Sequence, residues 1–185
     1  MNVIVTLGAS VVALAVLTVI NLLLCLAVVR RLRAVEESIR ASGPPDTPAP
    51  GTVISGFTAT TTSGAVLSSE DLGRNESFVG VLSVGCPACE EFAAELNRGI
   101  RSLPEHAVLF VAAGADVDPG PMVRQLGTRA AVVVTAEDGP ELSAFGRITA
   151  FPTFMRIERG VVAASHVRAD AILGTFPAPL TGAGR

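Results

Sequence analysis

Cys86 and Cys89, separated by Pro87 and Ala88, are the residues of this 185-residue chain whose type and spacing most directly permit chemistry. Two thiols three positions apart can interconvert between dithiol and disulfide, and the thiolate is the attacking species. The pair follows an apolar run at 78–84 and opens a helical pattern that continues to Leu103, before Pro104. A dithiol at a strand-to-helix turn lies where a helix N-terminus favours a thiolate, so redox exchange is the first chemistry to consider.

Helical spacing gives the two sulfurs different surroundings. Cys89, Phe92, Ala93, Leu96, Ile100 and Leu103 fall on one apolar stripe, which turns Cys89 toward the core. Cys86 sits at the first turn, where unpaired N–H groups and the helix dipole face it, and is the candidate attacking thiol. Pro87 suits the first helical position, where a missing N–H costs nothing. Cys89 would then resolve the mixed disulfide formed at Cys86. Glu90 and Glu91 follow at once; they suit the helix start but oppose a neighbouring thiolate. The alternatives are half of a structural zinc site or a purely structural pair. Tetrahedral zinc needs two further ligands. The third cysteine, Cys25, lies in a separate apolar segment, and His106 and His166 stand alone in the sequence. Neither a metal nor an organic cofactor is implied.

These residues must be positioned by a domain, and the rest of the sequence outlines one. Residues 3–29 carry no charge and are long enough to cross a bilayer core. No Lys or Arg precedes them, as a secretory signal would require, so an uncleaved anchor is expected. Within it Cys25 reads as a small apolar filler. Arg30, Arg31 and Arg33 complete a segment at 1–33. A juxtamembrane stretch and Pro-rich linker follow at 34–50, a folded domain at 51–175, and a flexible tail at 176–185. The net charge of −3 gives no electrostatic footprint for nucleic acid.

Periodicity and breakers give the domain's elements. An extended pair is expected at 53–60 and 65–67 around Ser63-Gly64, and strands at 78–84, 107–113 and 131–135. Helices are expected at 86–103, at 119–126 stopped by Gly127, at 139–145 and at 169–173. A hairpin at 153–158 and 161–166 turns at Arg159-Gly160. The fold class is α/β: a mostly parallel sheet covered on both faces, with an antiparallel edge from the final hairpin. No internal repeat is present.

Phe151-Pro152-Thr153, just before that hairpin, is a second landmark. With Cys86-Pro87-Ala88-Cys89 after a strand and the Gly160 turn, it makes residues 51–173 resemble the thioredoxin-fold superfamily. The resemblance implies that Pro152 is cis and lies against the dithiol. It also implies that Phe151 offers its backbone to an extended substrate segment, with Pro87 at the same groove. The 66 positions from Cys86 to Pro152 (152 − 86) leave room for an additional strand-helix unit. That unit, the N-terminal pair and the anchor are similar to the TlpA and MauD-like branch of membrane-tethered thiol–disulfide oxidoreductases. The implied partners are a protein dithiol or disulfide substrate and a second redox protein, with no cofactor.

The chain departs from thioredoxin at two places. Gly85 replaces the Trp before the first cysteine, and Gly80 stands six before Cys86, where thioredoxin has a buried Asp. Ser83-Val84-Gly85-Cys86 also resembles the peroxiredoxin nucleophile motif, although Val79 stands where that family has proline. A peroxidase, with Cys86 oxidised to a sulfenic acid that Cys89 condenses with, is therefore the alternative, and a non-catalytic thioredoxin-like interaction module is another. Two signals conflict over topology. The Arg cluster after the anchor favours a cytoplasmic domain, whereas the resemblance favours an extracytoplasmic one, which is the expectation taken here.

Overall fold

The computed structural model describes residues 14, 16–22, 47–127 and 129–176. The chain divides into two units, Met1–Pro44 and Pro45–Arg185. In the first, residues 16–22 are helical, with exposed apolar side chains such as Leu17 and Ile20. No helix among the described residues is long and apolar enough to cross a membrane. Most of the expected span at 3–29 lies outside the described residues, as do Cys25, the three arginines after it, and the tail beyond Phe176.

The second unit opens with a short antiparallel pair, β1 (Thr58–Thr60) and β2 (Val66–Ser68). Helix α1 (Ser69–Arg74) follows, its start fixed by a capping box between Ser68 and Asp71. Then come β3 (Ser77–Ser83), α2 (Pro87–Asn97), β4 (Ala107–Ala113), α3 (Gly120–Leu126) and β5 (Ala131–Ala136). The chain closes with α4 (Pro140–Ser143), β6 (Thr153–Glu158), β7 (Val161–His166) and α5 (Ala169–Leu173). The five-stranded sheet has the order β5-β4-β3-β6-β7. Of its four pairings, β3 with β4 and β4 with β5 are parallel; β3 with β6 and β6 with β7 are antiparallel. The sheet is thus half parallel rather than mostly so, because β6 returns against β3. The β5–α4 segment occupies the interval between Cys86 and Pro152 where an extra strand and helix are expected.

β3 is buried along its whole length, and alternate residues supply opposite layers. Val79 and Val81 join Phe110, Phe145 and Met155 on one face. Phe78 and Leu82 join Cys89, Phe92, Leu96 and Phe154 on the other. Phe92 and Phe154 lie 4.7 Å apart by ring centroid, and Phe78 and Phe154 stack at 5.8 Å. Such pairs contribute about 0.5–1.5 kcal/mol each beyond the area they bury. This second layer fixes the helix that carries the cysteines.

α2 ends at Asn97, earlier than the expected 103. Gly99 adopts φ +72°, its N–H bonds Leu96 O, and Ile100 N–H bonds Glu95 O, each at 3.0 Å. This is a Schellman stop, which glycine favours. Ile100 is consequently 63% exposed rather than part of the buried stripe. The β6–β7 turn does fall at Arg159 and Gly160, both at positive φ (51° and 76°), as a two-residue hairpin turn requires.

Two flanking segments line the sheet. Gly51 N–H bonds Val162 O, Val162 N–H bonds Thr52 O and Ile54 N–H bonds Gly160 O, all within 2.9 Å. Ser165 donates to Pro48 O at 2.6 Å, so residues 47–50, read as the end of the linker, are tied to β7. On the far side Thr62 N–H bonds Val132 O, beside a Thr61–Val133 bridge.

Candidate active site

The turn from β3 into α2 explains why glycine precedes Cys86. Gly85 has φ +81°, which a side chain would adopt only with strain, although no atom would crowd its Cβ. Cys86 is the N-cap of α2 in extended conformation, and Pro87 is the first helical residue. Cys86 O accepts the N–H groups of Cys89 and Glu90 at 3.0 Å. Cys86 is part-exposed and Cys89 is fully buried, in the order the helical stripe predicts.

The sulfurs are free thiols that face each other, with Cys89 donating to Cys86 Sγ. Burial pushes the Cys89 thiol up to about 12, and the hydrogen bond to Cys86 adds to the shift. Cys89 therefore holds its proton at neutral pH while Cys86 Sγ receives the hydrogen bond.

Phe151–Pro152 is a cis peptide bond. It brings Phe151 O to 3.5 Å from Cys86 Sγ. Thr153, fully buried, closes this loop by donating its hydroxyl to Ala150 O at 2.7 Å. Thus β6 presents Phe151 and Pro152 against the start of α2, where Cys86, Pro87 and Cys89 already stand. A groove of about 210 Å³ continues from Ala88 and Pro152 between α2 and the β7–α5 turn.

Gly80 has a steric reason. A Cβ there would lie 2.7 Å from Leu109 Cδ2 and 3.3 Å from the Phe154 ring, in a wholly buried layer. No carboxylate fits beneath Cys89 at this position. Among the described residues no group of three His, Cys, Asp or Glu could hold a metal.

Two features were missed from sequence. Ser83 donates its hydroxyl to Glu137 Oε1 at 3.1 Å, linking the ends of β3 and β5. Arg101 pairs with Glu95 at 2.5 Å and with Asp170, joining α2 to α5. Separations of 54 and 69 residues leave no local pattern to read.

Sheet order, the dithiol at a helix N-terminus and the facing cis-proline define the thioredoxin-like class of folds, and this chain has that fold. It is similar to the thioredoxin domain of a thiol-disulfide oxidoreductase from Bacteroides vulgatus, at 16% identity and TM-score 0.53, covering 70% of this chain and 96% of that one. It also matches an exposed lipoprotein thioredoxin from Streptococcus pneumoniae at 17% identity and TM-score 0.48, covering 65% of this chain and 97% of that one. A secreted disulfide oxidoreductase from Mycobacterium tuberculosis matches at 19% identity and TM-score 0.47, covering 64% and 92%. No protein-family model and no curated protein matches the sequence.

Proposed function

We propose that the chain is a membrane-tethered thiol–disulfide oxidoreductase of the TlpA and MauD-like kind, exchanging disulfides with protein partners on the extracytoplasmic face. The observation that carries the redox reading is the convergence of Cys86, Cys89 and the cis Phe151–Pro152 bond at one end of the sheet. The similar fold of the thioredoxin domain of a thiol-disulfide oxidoreductase supports it. The uncharged run at 3–29 supports the tether.

In the reducing direction Cys86 thiolate attacks one sulfur of a substrate disulfide. The new bond joins Cys86 to the substrate, and the other substrate sulfur leaves as a thiolate. Cys89 then gives up its proton and attacks Cys86 Sγ. The mixed disulfide breaks, a second substrate thiol departs, and the enzyme retains a Cys86–Cys89 disulfide. The reverse sequence oxidises a dithiol, and a partner dithiol or disulfide restores the starting state. Phe151 and Pro152 form the wall against which the substrate segment lies, with Pro87 at its edge.

The peroxidase alternative is weakened by Ser83, whose hydroxyl turns to Glu137 instead of Cys86. Alkylation of wild type, Cys86→Ser and Cys89→Ser after equilibration in redox buffers tests the function. Cys25 aside, the wild-type Cys86–Cys89 pair should cycle between two free thiols and none, and Cys89→Ser should trap a mixed disulfide at Cys86. A wild-type pair that never cycles overturns the reading. Alkaline phosphatase fused after Arg185 should be active; an inactive but folded fusion would place the domain on the cytoplasmic side.

A further inference from the structure

The groove that begins at Ala88 and Pro152 has an apolar floor and charged walls. Phe92 and Phe154 are 5% and 1% exposed, and with Pro152 they form the floor. Glu91, Glu95, Arg101, Arg168 and Asp170 form the walls. Arg101 is already engaged, bonding Glu95 on one side and Asp170 on the other. That internal pairing holds α2 against α5 and removes most of the arginine's charge from the groove. Glu91 is different. It is exposed, and among the described residues it has no hydrogen-bond or ion-pair partner. It lies one helical turn beyond Pro87 and two positions from Cys89, on the side of α2 that faces Pro152 across the groove. Three carboxylates stand against two guanidinium groups, so the walls carry a net charge of −1 (2 − 3).

A groove of this kind suits one class of side chain. Lys and Arg bury an aliphatic stem and keep a cationic head in polar surroundings. An acidic side chain would meet Glu91 directly.

The geometry points to this groove as a specificity pocket for a Lys or Arg side chain of the protein substrate, near its reactive cysteine, with Glu91 as the charge that selects it. The inference rests on the redox reading above and extends it by naming a substrate class. A segment paired with Phe151 would place its sulfur at Cys86. A nearby basic side chain would run over Pro152 and Phe154 with its head at Glu91.

The test uses disulfide-linked peptides that differ at one residue near the cysteine: Lys, norleucine or Glu. Wild-type enzyme should reduce the Lys peptide about two- to fivefold faster than the norleucine peptide, the range of an exposed ion pair. The Glu peptide should be slowest. In about 1 M salt, where screening acts over roughly 3 Å, the Lys preference should shrink. Lys also alters the intrinsic reactivity of a nearby thiol, so the decisive readout is the change in ratio between enzymes. Glu91→Gln should collapse the Lys-to-norleucine ratio toward that of the uncatalysed exchange, and Glu91→Arg should place Glu ahead of Lys. Glu105→Gln, at the other end of the sheet, should keep the wild-type ratio. An unchanged ratio in Glu91→Gln, or no preference in wild type, overturns the inference. Hydroxyethyl disulfide, which is uncharged, separates the two failures. If it is exchanged while the peptides are not discriminated, the pocket assignment alone falls. If it is not exchanged either, the redox reading falls and takes the pocket with it.

Discussion

The two ends of the sheet are built from the same strands and differ in what they can do. At the N-terminal ends of β3, β4 and β5 lies the roomier space, about 740 Å³, lined by Asp71, Arg74, Glu105, His106 and Arg129 among others. Three of its charges are spent locally: Asp71 pairs with Arg74 at 3.1 Å and caps α1 through Ser68, and Arg129 donates to Asn97 O. At the opposite end the groove is less than a third as large, yet Ala88 and Pro152, which line it, are sequence neighbours of two thiols and of a carbonyl 3.5 Å from one of them. Volume does not mark the candidate site here. What does is the place where strand ends and a helix start bring backbone and sulfur together, as open α/β sheets do at the carboxyl ends of their strands.

The contrast can be broken most severely at one atom. Cys86→Ser should abolish disulfide exchange, measured by alkylation of trapped intermediates, because it removes the only part-exposed sulfur at that end.

A second effect is one of pH. The Cys89 thiol has an ordinary value of 9.0 and is raised to about 12 in the fold. The folded state therefore favours the neutral thiol. Its stabilising contribution is complete below pH 9 and declines as pH rises through the window to about 12. Denaturant midpoints of the reduced protein should fall across that window, at a slope of at most about 1.4 kcal/mol per pH unit. The chain contains no Lys and no Tyr, so few other groups titrate there. Cys89→Ala should flatten the profile; an unchanged slope would contradict a buried, proton-holding Cys89.

Gly80→Ala sharpens the comparison from inside the sheet. Its Cβ would meet Leu109 Cδ2, a side chain with no exposed surface to move into. A loss of about 1–3 kcal/mol in urea denaturation is expected for such overpacking. The smallest effect belongs to the far end: His106→Ala and Arg129→Ala should leave exchange rates within about twofold of wild type. A larger loss would give the bigger cavity a part in the reaction.

Most of the strand framework was legible because its signals are local. β4 and both strands of the final hairpin fall where the apolar runs and the Arg159-Gly160 turn put them, and α3 stops at Gly127 as its glycine suggests. The early end of α2 is also written in the sequence, in Asn97-Arg98-Gly99, ahead of the stop that Pro104 suggests. Stripe periodicity continues past a Schellman glycine even when the helix does not, so Ile100 was assigned to the core. The unequal burial of Cys86 and Cys89 follows from helical spacing, whereas the cis bond at Pro152 came only from the family resemblance. The Arg101 bridge, the Ser83–Glu137 bond and the groove with its unpaired Glu91 depend on tertiary approach. Only the Glu95 side of the Arg101 bridge is local, six positions away; the remaining partners lie far apart in sequence.

The segments at 51–54 and 61–62 occupy backbone groups on the two outermost strands, β7 and β5. An unprotected rim is a template on which identical chains can polymerise. Here the first halves of both rims are already taken by the chain's own residues, while the Phe151 loop stays beside the exposed thiol. A second polypeptide is thereby discouraged from stacking onto those halves of the sheet's edges. The same short segments that look like ornament on the margins act as a filter on how another chain may approach.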